Sequence, residues 1–120
     1  MTRLDGLACL VVEDEPLIAM GLCDLIEDLG GTVVASASRL ERGINKASSL
    51  TIDIAFLDID LGGVRSFPIA DVLQERAIPF VYTSGHEGEM RARGYDVPIL
   101  VKPYTCRSLL RAVEQAIPSS

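Results

Sequence analysis

The sequence predicts an α/β domain, a doubly wound (βα)5 sandwich on one five-stranded parallel sheet. Two observations predict it. Five short apolar runs of strand length alternate with segments whose apolar residues recur at helical spacing. Four of those runs end on polar groups: Leu10-Val11-Val12 leads to Glu13-Asp14, Ile54-Ala55-Phe56-Leu57 to Asp58, Phe80-Val81-Tyr82-Thr83 to Ser84, and Ile99-Leu100-Val101 to Lys102. In a parallel sheet all strand C-termini share one edge, so three carboxylates, a hydroxyl and an ammonium converge there. With 120 residues and no linker, repeat or low-complexity stretch, the chain reads as one domain over residues 1–120.

Each element has its own signal. After the first strand, Pro16 suits a first helical position, Ile18, Leu22, Leu25, Ile26 and Leu29 form an apolar stripe, and Gly30-Gly31 stops the helix. Thr32-Val33-Val34-Ala35 reads as the second strand. The second helix is expected to open on a capping box, Ser38-x-x-Glu41, and to be weakened by the interior Gly43. After Asp58, Asp60-Leu61-Gly62-Gly63 signals a turn, and a third helix around Pro68 carries Ile69, Val72 and Leu73 on one face. A fourth helix, short or frayed, is expected between Gly85 and Val97, where Gly85, Gly88 and Gly94 interrupt a charged stretch. The last helix starts at Thr105, turns Leu109, Ala112, Val113, Ala116 and Ile117 inward, and ends before Pro118. Right-handed crossovers over five strands favour the order 2-1-3-4-5, the flavodoxin-like arrangement, whose ligand crevice lies between the first and third strands. Glu13, Asp14 and Asp58 flank that crevice.

Composition narrows the partners. Seventeen acidic against 11 basic residues give a net charge of -6, which argues against a phosphate-tracking nucleic-acid surface. Three cysteines without metal-ligand spacing fit a reducing, cytoplasmic setting. Cys9 reads as a small core residue, and Cys106 lies in the first turn of the last helix, where no redox role is expected of it. No apolar segment approaches the ~18 residues that span a bilayer, so no membrane association is expected.

The polar edge has a definite chemistry. Crowded carboxylates repel, and a hard divalent cation relieves them; with oxygen ligands alone and no His or Cys beside them, Mg²⁺ is the expected ion. A carboxylate held beside such an ion is a phosphoryl acceptor of the aspartyl-phosphate kind, with Lys102 and Ser84 placed to meet the transferred oxygens.

Four ordered motifs, Val12-Glu13-Asp14-Glu15, Leu57-Asp58-Ile59-Asp60, Thr83-Ser84-Gly85 and Lys102-Pro103, resemble those of the receiver domain of two-component response regulators, and the resemblance covers essentially the whole chain. It implies that Asp58 accepts a phosphoryl group from a histidine kinase or phosphotransfer protein. Glu13 and Asp14 would bind Mg²⁺, joined by Asp58 and the Asp60 main-chain carbonyl, with Ser84 as the switch hydroxyl and Lys102 as the phosphate-pairing lysine. The Lys102-Pro103 peptide would be cis. Such a domain signals by protein contact and is not an enzyme in the usual sense. The glycine-rich segment behind Ser84 has few apolar residues to resist movement, so the expected output surface is the fourth helix, fifth strand and fifth helix, with Arg91, Arg93, Tyr95 and Arg107 exposed.

The chain departs from the family pattern where Ile99 stands in place of the aromatic residue usual three positions before the lysine, which puts the ordinary inward-rotating readout in question. Pro79-Phe80-Val81-Tyr82-Thr83-Ser84-Gly85 looks like a branch with Pro-Phe-x-Phe-Ala-Thr-Gly in the fourth strand, many of whose members stand alone, and Gly85 should loosen the following loop. Alternatives remain for single residues. An acidic pair before a helix also complements its dipole. His86 is either a solvated loop residue or a group overhanging the phosphoryl site. Tyr104 and Tyr95 read as packing residues rather than switches. Two rival functions are a haloacid-dehalogenase-like phosphatase and a receiver-shaped module that is never phosphorylated. Asp58-Ile59-Asp60 fits the first, but its second acidic motif would follow Lys102, and none does.

Overall fold

The computed structural model describes residues 3–85 and 96–117. Five strands, β1 (Ala8–Val12), β2 (Thr32–Ala37), β3 (Ile54–Asp58), β6 (Phe80–Ser84) and β7 (Ile99–Val101), form one sheet in the order β2-β1-β3-β6-β7, with every neighbouring pair parallel. Counted within that sheet, the order is the expected 2-1-3-4-5. Between β3 and α3 (Phe67–Glu75) stands a two-residue-per-strand antiparallel hairpin, β4 (Asp60–Leu61) and β5 (Val64–Arg65). The other helices are α1 (Pro16–Asp28), α2 (Leu40–Ser49) and α4 (Cys106–Ala116), the last being the fifth helix expected from the sequence. The expected fourth helix falls mostly on residues outside those described.

Strand alternation divides the core in two. Cys9 and Val11 point to the side where Leu22 and Ile26 of α1 and Leu109, Ala112 and Val113 of α4 are buried. Leu10 and Val12 point to the opposite side, against Ala47 of α2 and Ile69, Ala70 and Leu73 of α3. Burial pushes the Cys9 thiol up to about 12, as befits a core residue. On the same side as Leu10, Tyr82 packs edge-on against Phe80 and Phe67, with ring centroids 5.5 and 6.4 Å away.

The helix ends follow local chemistry. Pro16 opens α1, and its C-terminus closes as a Schellman motif: Gly30 has φ 92°, its N–H donates to Glu27 O (3.0 Å), and that of Gly31 donates to Ile26 O (2.9 Å). Thr105 caps α4 in a reciprocal box with Ser108. The expected box at α2 does not form. β2 runs on to Ala37, Arg39 becomes the N-cap without a side-chain bond, and Glu41 falls one position early, where its charge still complements the first turn. β2 is also an edge strand, and it carries an extra residue, Val34, between the pairs Cys9↔Val33 and Leu10↔Ala35. That bulge disturbs the free edge against further strand pairing.

Gly43 has a packing function that helix propensity conceals. It is buried in α2, and a Cβ there would collide with Ile69 Cδ1 of α3. Arg76 binds the same two helices by donating from Nη1 to Ala47 O (2.6 Å) and Leu50 O (2.8 Å), near the C-terminus of α2. In an open helix Gly→Ala gains about 1 kcal/mol. Here the collision should cancel that gain, and Gly43→Leu should lose about 2 kcal/mol through overpacking, read as a lower urea midpoint. A Gly43→Ala variant stabilised by the full propensity gain would contradict this close approach.

Candidate phosphoacceptor and metal site

The sheet edge gathers the acidic residues through its register. β1 ends at Val12, and the next residue, Glu13, donates its N–H to Ala37 O (3.0 Å) as the sheet closes. Asp58 is the last residue of β3, opposite Thr83 of β6. Carboxylate oxygens of Glu13, Asp14 and Asp58 all lie within 4.8 Å of one another. Glu13 is 2% and Asp58 5% exposed, so most of their charge must be met by protein groups.

Those groups are few. Lys102 Nζ lies 3.0 Å from Glu13 Oε1 and 3.3 Å from Asp58 Oδ2, bridging the two. The Glu15 N–H donates to Glu13 Oε2 (3.2 Å), and the Asp60 N–H donates to Asp58 Oδ1 (3.3 Å). Lys102 is held by its own N–H, which donates to Ser84 O (3.0 Å), and the Lys102–Pro103 peptide is cis. Ser84 is fully buried at the end of β6, beside Val101 of β7.

The hairpin after Asp58 turns the Asp60 main chain toward the site. Gly62 and Gly63 take φ of 66° and 92°, the two positive values that a tight hairpin turn requires. Ser66 N–H donates to Ile59 O (2.9 Å), which makes Ile59/Ser66 a hydrogen-bonded pair and the next pair, Asp60/Arg65, a non-bonded one. The Asp60 peptide groups therefore face away from β5, and its N–H reaches the Asp58 carboxylate. Its side chain is engaged elsewhere, accepting from Gly63 N–H at 2.8 Å.

Electrostatics record the crowding. Burial, then the contact with Asp58, raises the Glu13 pKa, against the opposing pull of Lys102 and the Glu15 N–H. Asp14 is raised by burial and then by Glu13. Burial alone would lower Lys102, but the Glu13 hydrogen bond and the Asp58 charge outweigh it, so its pKa is raised. Three carboxylates facing one ammonium leave two negative charges. The donors are all oxygens and two of the three carboxylates are nearly sealed from water, so the cluster fits a hard divalent cation.

Residues 9–114 match the family model described as the response regulator receiver domain. The chain belongs to that family. It is 32% identical over 97% of its length to the nitrate/nitrite response regulator protein NarL of Escherichia coli (strain K12), covering 57% of that protein. It spans about half the length of the curated relatives it matches. Among solved structures, SdrG from Sphingomonas melonis Fr1 is 36% identical, with a TM-score of 0.82 over 97% of this chain and 98% of that one. The response regulator PhyR from Brucella abortus shares the fold at 23% identity, with a TM-score of 0.83 over 96% of this chain and 49% of that one. The receiver family carries signals and is not one of classical enzymes, and its acidic cluster supports a phosphorelay role at the level of the family.

In this receiver, the sequence-derived residues Glu13, Asp14, Asp58 and Lys102 come together. Ser84 lies at the same edge, and Asp60 contributes main chain rather than its carboxylate. His86, Arg91, Arg93 and Tyr95 lie outside the described residues. Sequence reading missed the hairpin that orients Asp60, although Gly62-Gly63 between Leu61 and Val64 is its signal. Tyr104, read from the sequence as a packing residue rather than a switch, is half-buried against the core cluster that holds Val11, Leu22 and Phe56.

A pH dependence follows from the raised carboxyls. In the folded state Glu13 and Asp14 hold protons more tightly than in the unfolded chain. Stability is thus lost as pH climbs from the ordinary carboxylate range toward their raised values, and the full penalty stands above those. With EDTA present, Asp14→Asn should have a higher urea midpoint than wild type at about pH 7, an advantage that vanishes below about pH 3, where even the unfolded carboxyl is protonated. An advantage that grew toward acid would reverse the sign of the argument.

Proposed function

We propose that the chain is a Mg²⁺-dependent phosphoacceptor of a two-component phosphorelay, phosphorylated on Asp58 by a histidine kinase or phosphotransfer protein. The observation that carries this reading is the placement of the Asp58 carboxylate: at the end of β3, 3.3 Å from Lys102 Nζ, 3.3 Å from the Asp60 N–H, and beside Glu13 and Asp14. One oxygen of Asp58 forms the new P–O bond as the bond from phosphorus to the donor breaks. Glu13, Asp14, Asp58 and the Asp60 carbonyl would hold Mg²⁺, which supplies charge neutralisation to the transferring oxygens. Lys102, drawn from its carboxylate partners, pairs with a phosphoryl oxygen, and the Ser84 hydroxyl meets another.

The signal then leaves by protein contact. The resemblance of Pro79 to Gly85 to the Pro-Phe-x-Phe-Ala-Thr-Gly branch supports a stand-alone, cytoplasmic receiver working as one domain over residues 1–120. The proposed output face is the segment after Ser84, strand β7 and helix α4, on which Arg107 is exposed. Among the described residues no helix is long and apolar enough to cross a membrane.

Incubation with acetyl phosphate and Mg²⁺, followed by intact-mass measurement, tests the assignment. Wild type should gain one phosphoryl group and Asp58→Asn none, whereas EDTA should abolish the gain in wild type. An adduct that persists in Asp58→Asn would sink it.

A further inference from the structure

Lys102 sits on a flexible stem, yet its ammonium bridges two buried carboxylates. What fixes it lies on either side in the chain. Upstream, the Lys102 N–H is tied to Ser84 O. Downstream come exposed Pro103, half-buried Tyr104, and then Thr105, whose side chain is committed to the N-terminus of α4. Between the bond to Ser84 and that helix cap, Tyr104 is the residue packed into the core. It joins the cluster of Val11, Leu22, Phe56 and Val81. Its ring also lines a cavity of about 580 Å³ with Ile18, Leu22 and Leu25 of α1, and Lys102 lines the same cavity.

The phenol end of Tyr104 contributes differently. Its oxygen is buried beside the Thr83 hydroxyl without a regular hydrogen bond, and burial pushes its pKa up to about 12. An unsatisfied buried hydroxyl does not stabilise a loop. The apolar ring must therefore provide the anchor.

We propose that the Tyr104 ring is a positioning element that clamps the β7–α4 loop against the core cluster and so holds the Lys102 ammonium between Glu13 and Asp58. The assignment deepens the phosphoacceptor reading, but the geometry it explains exists without phosphorylation. Tyr104 touches no reacting atom and acts through Lys102 alone. Loss of the ring should release the lysine, while loss of the hydroxyl should not.

Two measurements on the full chain test it. In the ¹⁵N spectrum of lysine ammonium groups, the ion-paired Lys102 signal, assigned by its absence in Lys102→Ala, should persist in wild type and Tyr104→Phe. It should broaden or vanish through water exchange in Tyr104→Ala, with the backbone amide spectrum confirming that the variant is folded. With acetyl phosphate and Mg²⁺, Tyr104→Ala should be phosphorylated about tenfold or more slowly than wild type, as expected of a misplaced catalytic group. Tyr104→Phe should keep the wild-type rate. Adding Tyr104→Ala to Lys102→Ala should slow the reaction no further, whereas a residue that merely supports the fold would slow both backgrounds alike. An unchanged Lys102 signal in folded Tyr104→Ala, or independent effects of the two substitutions, would overturn the proposal. Failure of wild type to gain phosphate would count against Asp58 as acceptor, and the ammonium spectrum would still decide the function of Tyr104.

Discussion

Three carboxylates share one ammonium at the C-terminal edge of the sheet, and the remaining features of the site are arranged around that imbalance. Glu13 and Asp58 are almost sealed from water, where an unpaired charge is costly. Lys102 offsets part of the cost by bridging both, and the N–H groups of Glu15 and Asp60 offset more. The raised carboxyls of Glu13 and Asp14 are the unrelieved remainder. A core built for stability alone would have replaced such a cluster with apolar side chains. Its retention makes sense if a cation, and then a phosphoryl group, completes it.

The fold makes this crowding possible by its strand order. Because β1 and β3 are neighbours whose connections leave to opposite faces, no crossover covers the gap above them, and the residues following each strand face one another. The two core clusters hold the strands in register, and close packing at Gly43 brings α2 and α3 together beneath the opposite face from α1 and α4. The hairpin at Gly62-Gly63 supplies the last constraint by turning the Asp60 main chain toward Asp58.

The sequence was most legible where a chemical requirement and a periodic pattern coincided. Apolar runs ending in Asp58 or Lys102 identified both the strands and the residues at their ends, because in a parallel sheet the two follow from one geometry. Helix ends governed by backbone conformation, such as Gly30-Gly31, were equally readable. Less readable were features decided by neighbours distant in sequence. Gly43 looked like a weak point in α2 because propensity is local, whereas its partner, Ile69, is on another helix. The capping box at Ser38 failed by one residue, since pairing with β1 extended β2 to Ala37. The orientation of Asp60 depended on hydrogen-bond phase in a hairpin whose strands are only two residues long, too short to show alternation.

The central claim is that the acidic cluster is held under repulsion that a divalent cation relieves. Thermal unfolding of wild type and Asp58→Asn, each with EDTA and with excess Mg²⁺, tests it most directly. Mg²⁺ should raise the wild-type midpoint, Asp58→Asn should already exceed wild type in EDTA, and Mg²⁺ should raise the variant less. Equal wild-type midpoints with and without the ion, or an Asp58→Asn variant less stable than wild type in EDTA, would contradict it.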